Sequence, residues 1–283
     1  RNKFHHSAHQ TQMNPKPLSI QLFTLRDESE KDFPAVLRRV AEIGYKGVEG
    51  AGFYGLTPRE FRKIVEDLGM VISSSWTTGN TPDIVNETIE TFGEMGTNLA
   101  VTGFNRENFA GMDEIKRTAE TVSLLTSKLA AAGITLSIHN HAWEFEKIGG
   151  RLKHDILVEL CPDVQFELDT YWAANYGAND PAEMVRRFAK RCPLLHIKDG
   201  PMVPPDMAYN AATGKLEPSP GANTALQPVG SGENDIKGII AAMDPAVTQW
   251  LIVEQDNSDT DMFECVEKSY RYLIANGLAA GNK

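Results

Sequence analysis

The chain has 283 residues, 41% of them hydrophobic, with no apolar run long enough to span a bilayer, so it can bury one large core and is not expected to cross a membrane as a helix. Its formal net charge of −10 argues against a nucleic-acid partner, because phosphate contacts need a concentrated basic surface. Cys161, Cys192 and Cys265 have no CxxC spacing and an odd total, which points to neither a disulfide framework nor a thiolate zinc site.

Residues 1–17 are polar, lack a starting Met and end in Pro15 and Pro17. They read as a disordered arm, a tag remnant or the region after a removed signal, leaving a cytoplasmic or a periplasmic location open, and His5, His6 and His9 are expected to have no role. From Leu18 to about residue 279, short apolar or β-branched runs alternate with amphipathic stretches. Strands are expected at 18–23, 46–50, 70–76, 98–103, 134–141, 164–169, 194–199 and 250–255. Between the first two, Val36, Leu37, Val40 and Ile43 form one helical stripe, with Gly44 as a stop. Thr57–Pro58 and Asp180–Pro181 each supply an N-cap followed by a proline in the first turn, and Gly69 ends the helix that Thr57 begins.

Eight such units suit a single-domain α/β protein, a closed (β/α)8 TIM barrel. An open doubly wound sheet would more often use fewer strands and a glycine-rich first turn, and neither GxGxxG nor GxxxxGK[ST] is present. Residues 200–232 are rich in Pro, Gly and Asn and have no helical or strand period. They are expected to form a long loop after strand seven, on the catalytic face, where it could close over substrate.

Barrel strands are buried on both sides and should be apolar, so polar residues at their ends carry information. They are His139, Asn140 and His141 on strand five, Asp169 on strand six, His196, Lys198 and Asp199 on strand seven, and Glu254 on strand eight. Period-two alternation turns His139 with His141, and His196 with Lys198, toward the barrel axis, and Asn140 and Asp199 away from it. Imidazoles and carboxylates converging without thiolates suit a divalent metal such as Mn, Mg, Co or Zn. Glu49, Trp143 and Trp172 are candidate substrate contacts, with an ion-pair or core role as the alternative. Lys198 is either catalytic or a partner of Asp169 or Glu254, and His154 reads as a solvated helix residue.

The segments GYKGVEG (44–50), GITLSIHNHAWEF (133–145), FELDTYW (166–172), LLHIKDG (194–200), VGSGENDIKGII (229–240) and LIVEQD (251–256) resemble the xylose-isomerase-like TIM-barrel superfamily. That group holds sugar (phosphate) isomerases and epimerases together with inosose dehydratases and endonuclease IV. The resemblance implies a metal held by an acid on strand five, an Asp on strand six, a His on strand seven and a Glu on strand eight. Asp169, His196 and Glu254 match the last three. Strand five departs from the pattern by carrying His139, so His139 or Glu144 would supply the first ligand.

A carbohydrate substrate bound through two oxygens would lose a proton beside its carbonyl, giving an enediolate. Glu254 is the first candidate base and His141 the second, while Lys198 would stabilise the enolate oxygen or protonate a leaving hydroxyl. Isomerisation or epimerisation is the leading expectation. A lyase acting on an inosose or 3-keto-glycoside is the alternative, and an endonuclease IV-like repair enzyme ranks below both. A homodimer is left open.

Overall fold

The computed structural model describes residues 14–222 and 224–283. Eight parallel strands close on themselves: β1 (Leu18–Gln21), β2 (Gly47–Gly50), β3 (Val71–Trp76), β4 (Leu99–Gly103), β5 (Thr135–His139), β6 (Gln165–Asp169), β7 (Leu194–Ile197) and β8 (Trp250–Val253). Each pairs with the next in the chain, and β8 returns to β1 through Leu18 beside Leu251. The expected (β/α)8 barrel is therefore present as a single closed sheet.

Helices follow the strands around the outside: α1 (Arg26–Ile43), α2 (Pro58–Asp67), α3 (Val85–Met95), α4 (Met112–Ala130), α5 (Lys153–Leu160), α6 (Thr170–Ala174), α7 (Pro181–Phe188), α8 (Ile236–Ala242) and α9 (Met262–Ala275). The expected caps form. Thr57 and Glu60 make a reciprocal capping box at α2, and Asp180 accepts from the backbone of Ala182 at α7. Helix α1 starts at Arg26, well before the expected stripe, and breaks at Asp32, whose extended backbone (φ −159°) lets its carboxylate cap Ala35 at 2.9 Å. Pro34 thereby falls in a first turn, where its missing N–H costs nothing.

Apolar packing lies in two layers. The large core fills the space between strands and helices, with Ile20, Val48, Leu136, Leu168 and Leu195 pointing outward from the sheet. A small plug of Leu99, Val101, Leu194 and Ile252 forms its own cluster with Trp76 and Trp250 packed against it. Much of what remains of the lumen is polar: Ser19, Gln21, Glu49, Ser137, Glu167 and His196 are each at most 1% exposed. The three cysteines are free and buried. Among the described residues no helix is long and apolar enough to cross a membrane.

Four expectations need correction. His154, expected in solvent, is buried among Phe145, Phe166 and Phe188. The stretches expected as strands 18–23, 134–141, 194–199 and 250–255 each stop two residues early, so His141, Lys198 and Glu254 stand just beyond the assigned strands, with the Glu254 backbone N–H still donating to the carbonyl of Ile197 at 3.3 Å. The segment 200–232 is not without regular structure. It contains an antiparallel hairpin, Met207–Asn210 with Lys215–Pro218, too short to give a hydrophobic period, and Gln227 bridges back to Asp199. Of the supposed arm, residues 1–13 lie outside the described residues, together with His5, His6 and His9, whereas Lys16 and Pro17 accept backbone hydrogen bonds from Ala280 and Leu251.

Candidate metal centre and cavity

The register brings the ligand-type residues together. Asp169 pairs with His196 across β6 and β7, His139 pairs with Glu167 across β5 and β6, and Glu254 follows directly after β8. One ligand atom from each of His139, Asp169, His196 and Glu254 lies within 4.8 Å of those of the other three, and all four residues are buried. Glu144, the other candidate on strand five, lies outside this group. It sits in the turn Trp143–Phe145 and its Oε2 accepts the backbone N–H of His141 at 2.9 Å.

Each donor is oriented by a neighbour. Asp169 caps α6 through Oδ1, which accepts from the backbone of Tyr171 (3.1 Å) and Trp172 (2.9 Å), and this leaves Oδ2 facing the lumen. His139 Nδ1 lies 3.0 Å from Glu167 Oε2, so Nε2 faces Asp169 Oδ2 at 3.8 Å. His196 Nε2 is held by Glu49 (2.8 Å) and Glu167 (3.1 Å), which turns Nδ1 toward Glu254 (2.9 Å) and Asp169 (3.8 Å). A ring nitrogen fixed by a carboxylate while the other is presented inward is the usual arrangement of metal-binding histidines.

The charge balance points the same way. Five buried or partly buried carboxylates, Glu49, Glu167, Asp169, Glu254 and Asp256, surround two imidazoles and the Lys198 ammonium, which is 2.9 Å from Asp169, 2.9 Å from Glu254 and 2.7 Å from Asp256. Burial opposes ionisation of Asp169, but Lys198 and the imidazoles outweigh it and hold its carboxyl at about 2. Glu254 is likewise held well below the usual range against its burial, by Lys198 and His196. Glu167 moves the other way: burial, and then the charge of Glu49, push it well above the carboxylate range. Negative charge thus exceeds positive charge among these buried groups, and a two-nitrogen, two-oxygen donor set fits a divalent cation there.

Above these groups lies a cavity of about 470 Å³. His139, His141, Trp172, Glu254 and Asp256 line it together with Gln21, Phe23, Phe53 and Trp76, whose ring lies 5.2 Å from that of His139. Burial, then the Lys198 charge, lowers the His141 imidazole to about 4, so it is neutral at physiological pH, and the ring stacks on Trp143 at 4.2 Å.

Not every expected contact reaches this space. Trp143 faces away and donates to the carbonyl of Phe104. Glu49 lies beneath the cavity, where Gln21 (2.6 Å), Ser74 (2.5 Å) and His196 engage it. Lys198 is also below the wall, with its ammonium 5.1 Å from the Trp172 ring centre. Glu167 and Asp256 have no place in the sequence expectations. Glu167 was signalled by alternation from Asp169, two residues away on the same face of β6, whereas nothing in the pattern after β8 marks Asp256.

The described part of the chain resembles several solved structures over nearly its whole length. A sugar phosphate isomerase/epimerase from Parabacteroides distasonis ATCC 8503 is 25% identical, with 97% of this chain and 99% of that one covered and a TM-score of 0.72. A xylose isomerase-like TIM barrel protein from Mycobacterium smegmatis, solved in complex with magnesium, is 19% identical (93% and 98% covered, TM-score 0.64). An L-ribulose 3-epimerase is 16% identical (93% and 94% covered, TM-score 0.61). A comparison with curated proteins finds no match. The family model for xylose isomerase-like TIM barrels matches residues 37–275, and with its closed barrel and His/carboxylate mouth the chain belongs to that family.

Proposed function

We propose that the protein is a divalent-metal-dependent isomerase or epimerase of a sugar or keto-sugar. The observation that carries this reading is the convergence of His139, Asp169, His196 and Glu254 at the floor of an open cavity. A bound divalent cation supplies Lewis-acid stabilisation of the negative charge that grows on a carbonyl oxygen as the neighbouring C–H is lost.

The chain's own groups handle the proton. Glu254 lines the cavity as an ionised carboxylate and acts as the base. His141, neutral and on the same cavity wall, is the second group able to take or return a proton. Return to the opposite face of the same carbon epimerises the sugar, and return to the adjacent carbon isomerises it. Trp172 offers a flat apolar face to the ring. Lys198, Glu49 and Glu167 act from below by holding Asp169, Glu254 and the two histidines in place.

A lyase is the second reading, favoured by the neutral His141 imidazole on the cavity wall, which can take the C–H proton as the base and, as the imidazolium so formed, return it to the leaving oxygen. Metal analysis and turnover of a ketose panel in deuterated water test the main proposal. Deuterium should appear beside the carbonyl, and Asp169→Asn should lose bound metal and exchange together. A metal-free variant with full activity would refute it, and an eliminated product would replace isomerisation by lysis.

A further inference from the structure

We propose that the cavity takes an uncharged keto-sugar bearing an apolar or ring substituent and turns away sugar phosphates, an inference that rests on the ketose reading above. The described lining residues include no Lys or Arg, and Glu254 and Asp256 among them are acids. The cations nearby are already engaged. Lys198 lies within 2.9 Å of three carboxylates. Arg26 donates to the carbonyls of Phe23 (2.9 Å) and Asp256 (2.8 Å) and stacks over the Phe23 ring at 4.2 Å. A phosphate dianion entering here would shed water beside like charge with no guanidinium or ammonium among the described lining residues to receive it, which is costly in any enclosed site.

The aromatic part of the lining has a different chemistry. Phe23 is 43% exposed, and Phe53 and Trp76 line the same cavity, so three aromatic rings share it with the acids. Exposed aromatic surface inside a concave site is what an apolar ring or the C–H face of a second sugar covers. The volume agrees: about 470 Å³ falls among cavities that enclose drug-sized ligands, roughly 300–1,000 Å³, and exceeds what one hexose ring fills. The lining also holds Ser75, Thr77 and Thr78, whose hydroxyls donate to Gly50, Gly79 and Glu87 and keep lone pairs that can accept from a sugar hydroxyl.

Calorimetric titration of the intact protein in magnesium with D-fructose, D-fructose 6-phosphate and phenyl 3-keto-β-D-glucopyranoside tests this. The phenyl glycoside should bind tightest and the phosphate ester about tenfold or more weaker than fructose. Phe23→Ala should weaken the phenyl glycoside about tenfold more than fructose, and Thr78→Lys should raise affinity for the phosphate ester. A phosphate ester that binds as well as fructose, or a phenyl glycoside that binds no better, overturns the inference and leaves the isomerase reading standing. A protein that binds none of the three overturns both.

Discussion

Glu167 Oε2 stands 3.0 Å from His139 Nδ1 and 3.1 Å from His196 Nε2, so one carboxyl group sets the orientation of both histidines of the candidate metal centre. Losing such a partner typically lowers metal affinity about 10–100-fold, because the ring must be oriented anew each time it binds. Glu167→Gln keeps the shape and should reduce Mn²⁺ affinity by that factor, measured by calorimetry, with the circular dichroism unchanged. Equal affinity in variant and parent would show that the histidines need no help from below.

The strands were legible because their outward faces are continuous apolar runs, and the ends of β5, β6 and β7 because polar residues there break the pattern. His139, Asp169, His196 and Glu254 are visible in the sequence for that reason. Glu167 was less visible, since a single acid flanked by Phe166 and Leu168 looks like an isolated exception until alternation links it to Asp169. The hairpin within 200–232 was not legible. Its strands put Met207, Tyr209 and Leu216 in solvent, so no buried face imposes a period.

Lys198 is completely buried and touches Asp169, Glu254 and Asp256. Removing one member of a buried charge network costs about 3–5 kcal/mol, since the charges left behind lose their partner. Lys198→Met should lose about that much in urea denaturation with EDTA present. A divalent cation offers positive charge to the same carboxylates, so saturating Mg²⁺ should stabilise the variant more than the parent. An identical deficit with and without Mg²⁺ would separate the ammonium from the metal centre.

Asp199 organises the chain that follows β7. Its Oδ1 accepts from the backbone of Gly200 (2.8 Å) and Asn234 (2.9 Å), and its Oδ2 from Gly230 (2.9 Å) and Gly232 (3.1 Å). Gly232 approaches so closely that a Cβ would collide with the Asp199 carboxylate and the Gly200 nitrogen. Asp199→Ala leaves four donors to find water, a loss of about 2–4 kcal/mol. Hydrogen exchange should rise at 230–234 while the β4 and β5 amides stay protected. Unchanged exchange at 230–234 would mean that the loop is held by its other contacts.

His154 lies between the rings of Phe145, Phe166 and Phe188 at 4.5–4.7 Å, 1% exposed, with neither ring nitrogen hydrogen-bonded, and not in solvent as its sequence context suggests. Burial, followed by the charges of Arg191 and Arg187, lowers the imidazole to about 3. In the unfolded chain it titrates near 6.5. Above that pH the ring is neutral in both states and contributes no pH dependence. Below it the unfolded chain takes up a proton that the folded protein refuses, so stability falls by about 1.4 kcal/mol per pH unit from roughly pH 6.5 down toward 3. His154→Phe removes that proton and keeps an aromatic ring in place. Between pH 6 and 4 the variant's stability curve in urea should therefore be shallower than the parent's by about this slope, with acid effects from the metal centre common to both. Parallel curves would place the His154 ring in water in solution.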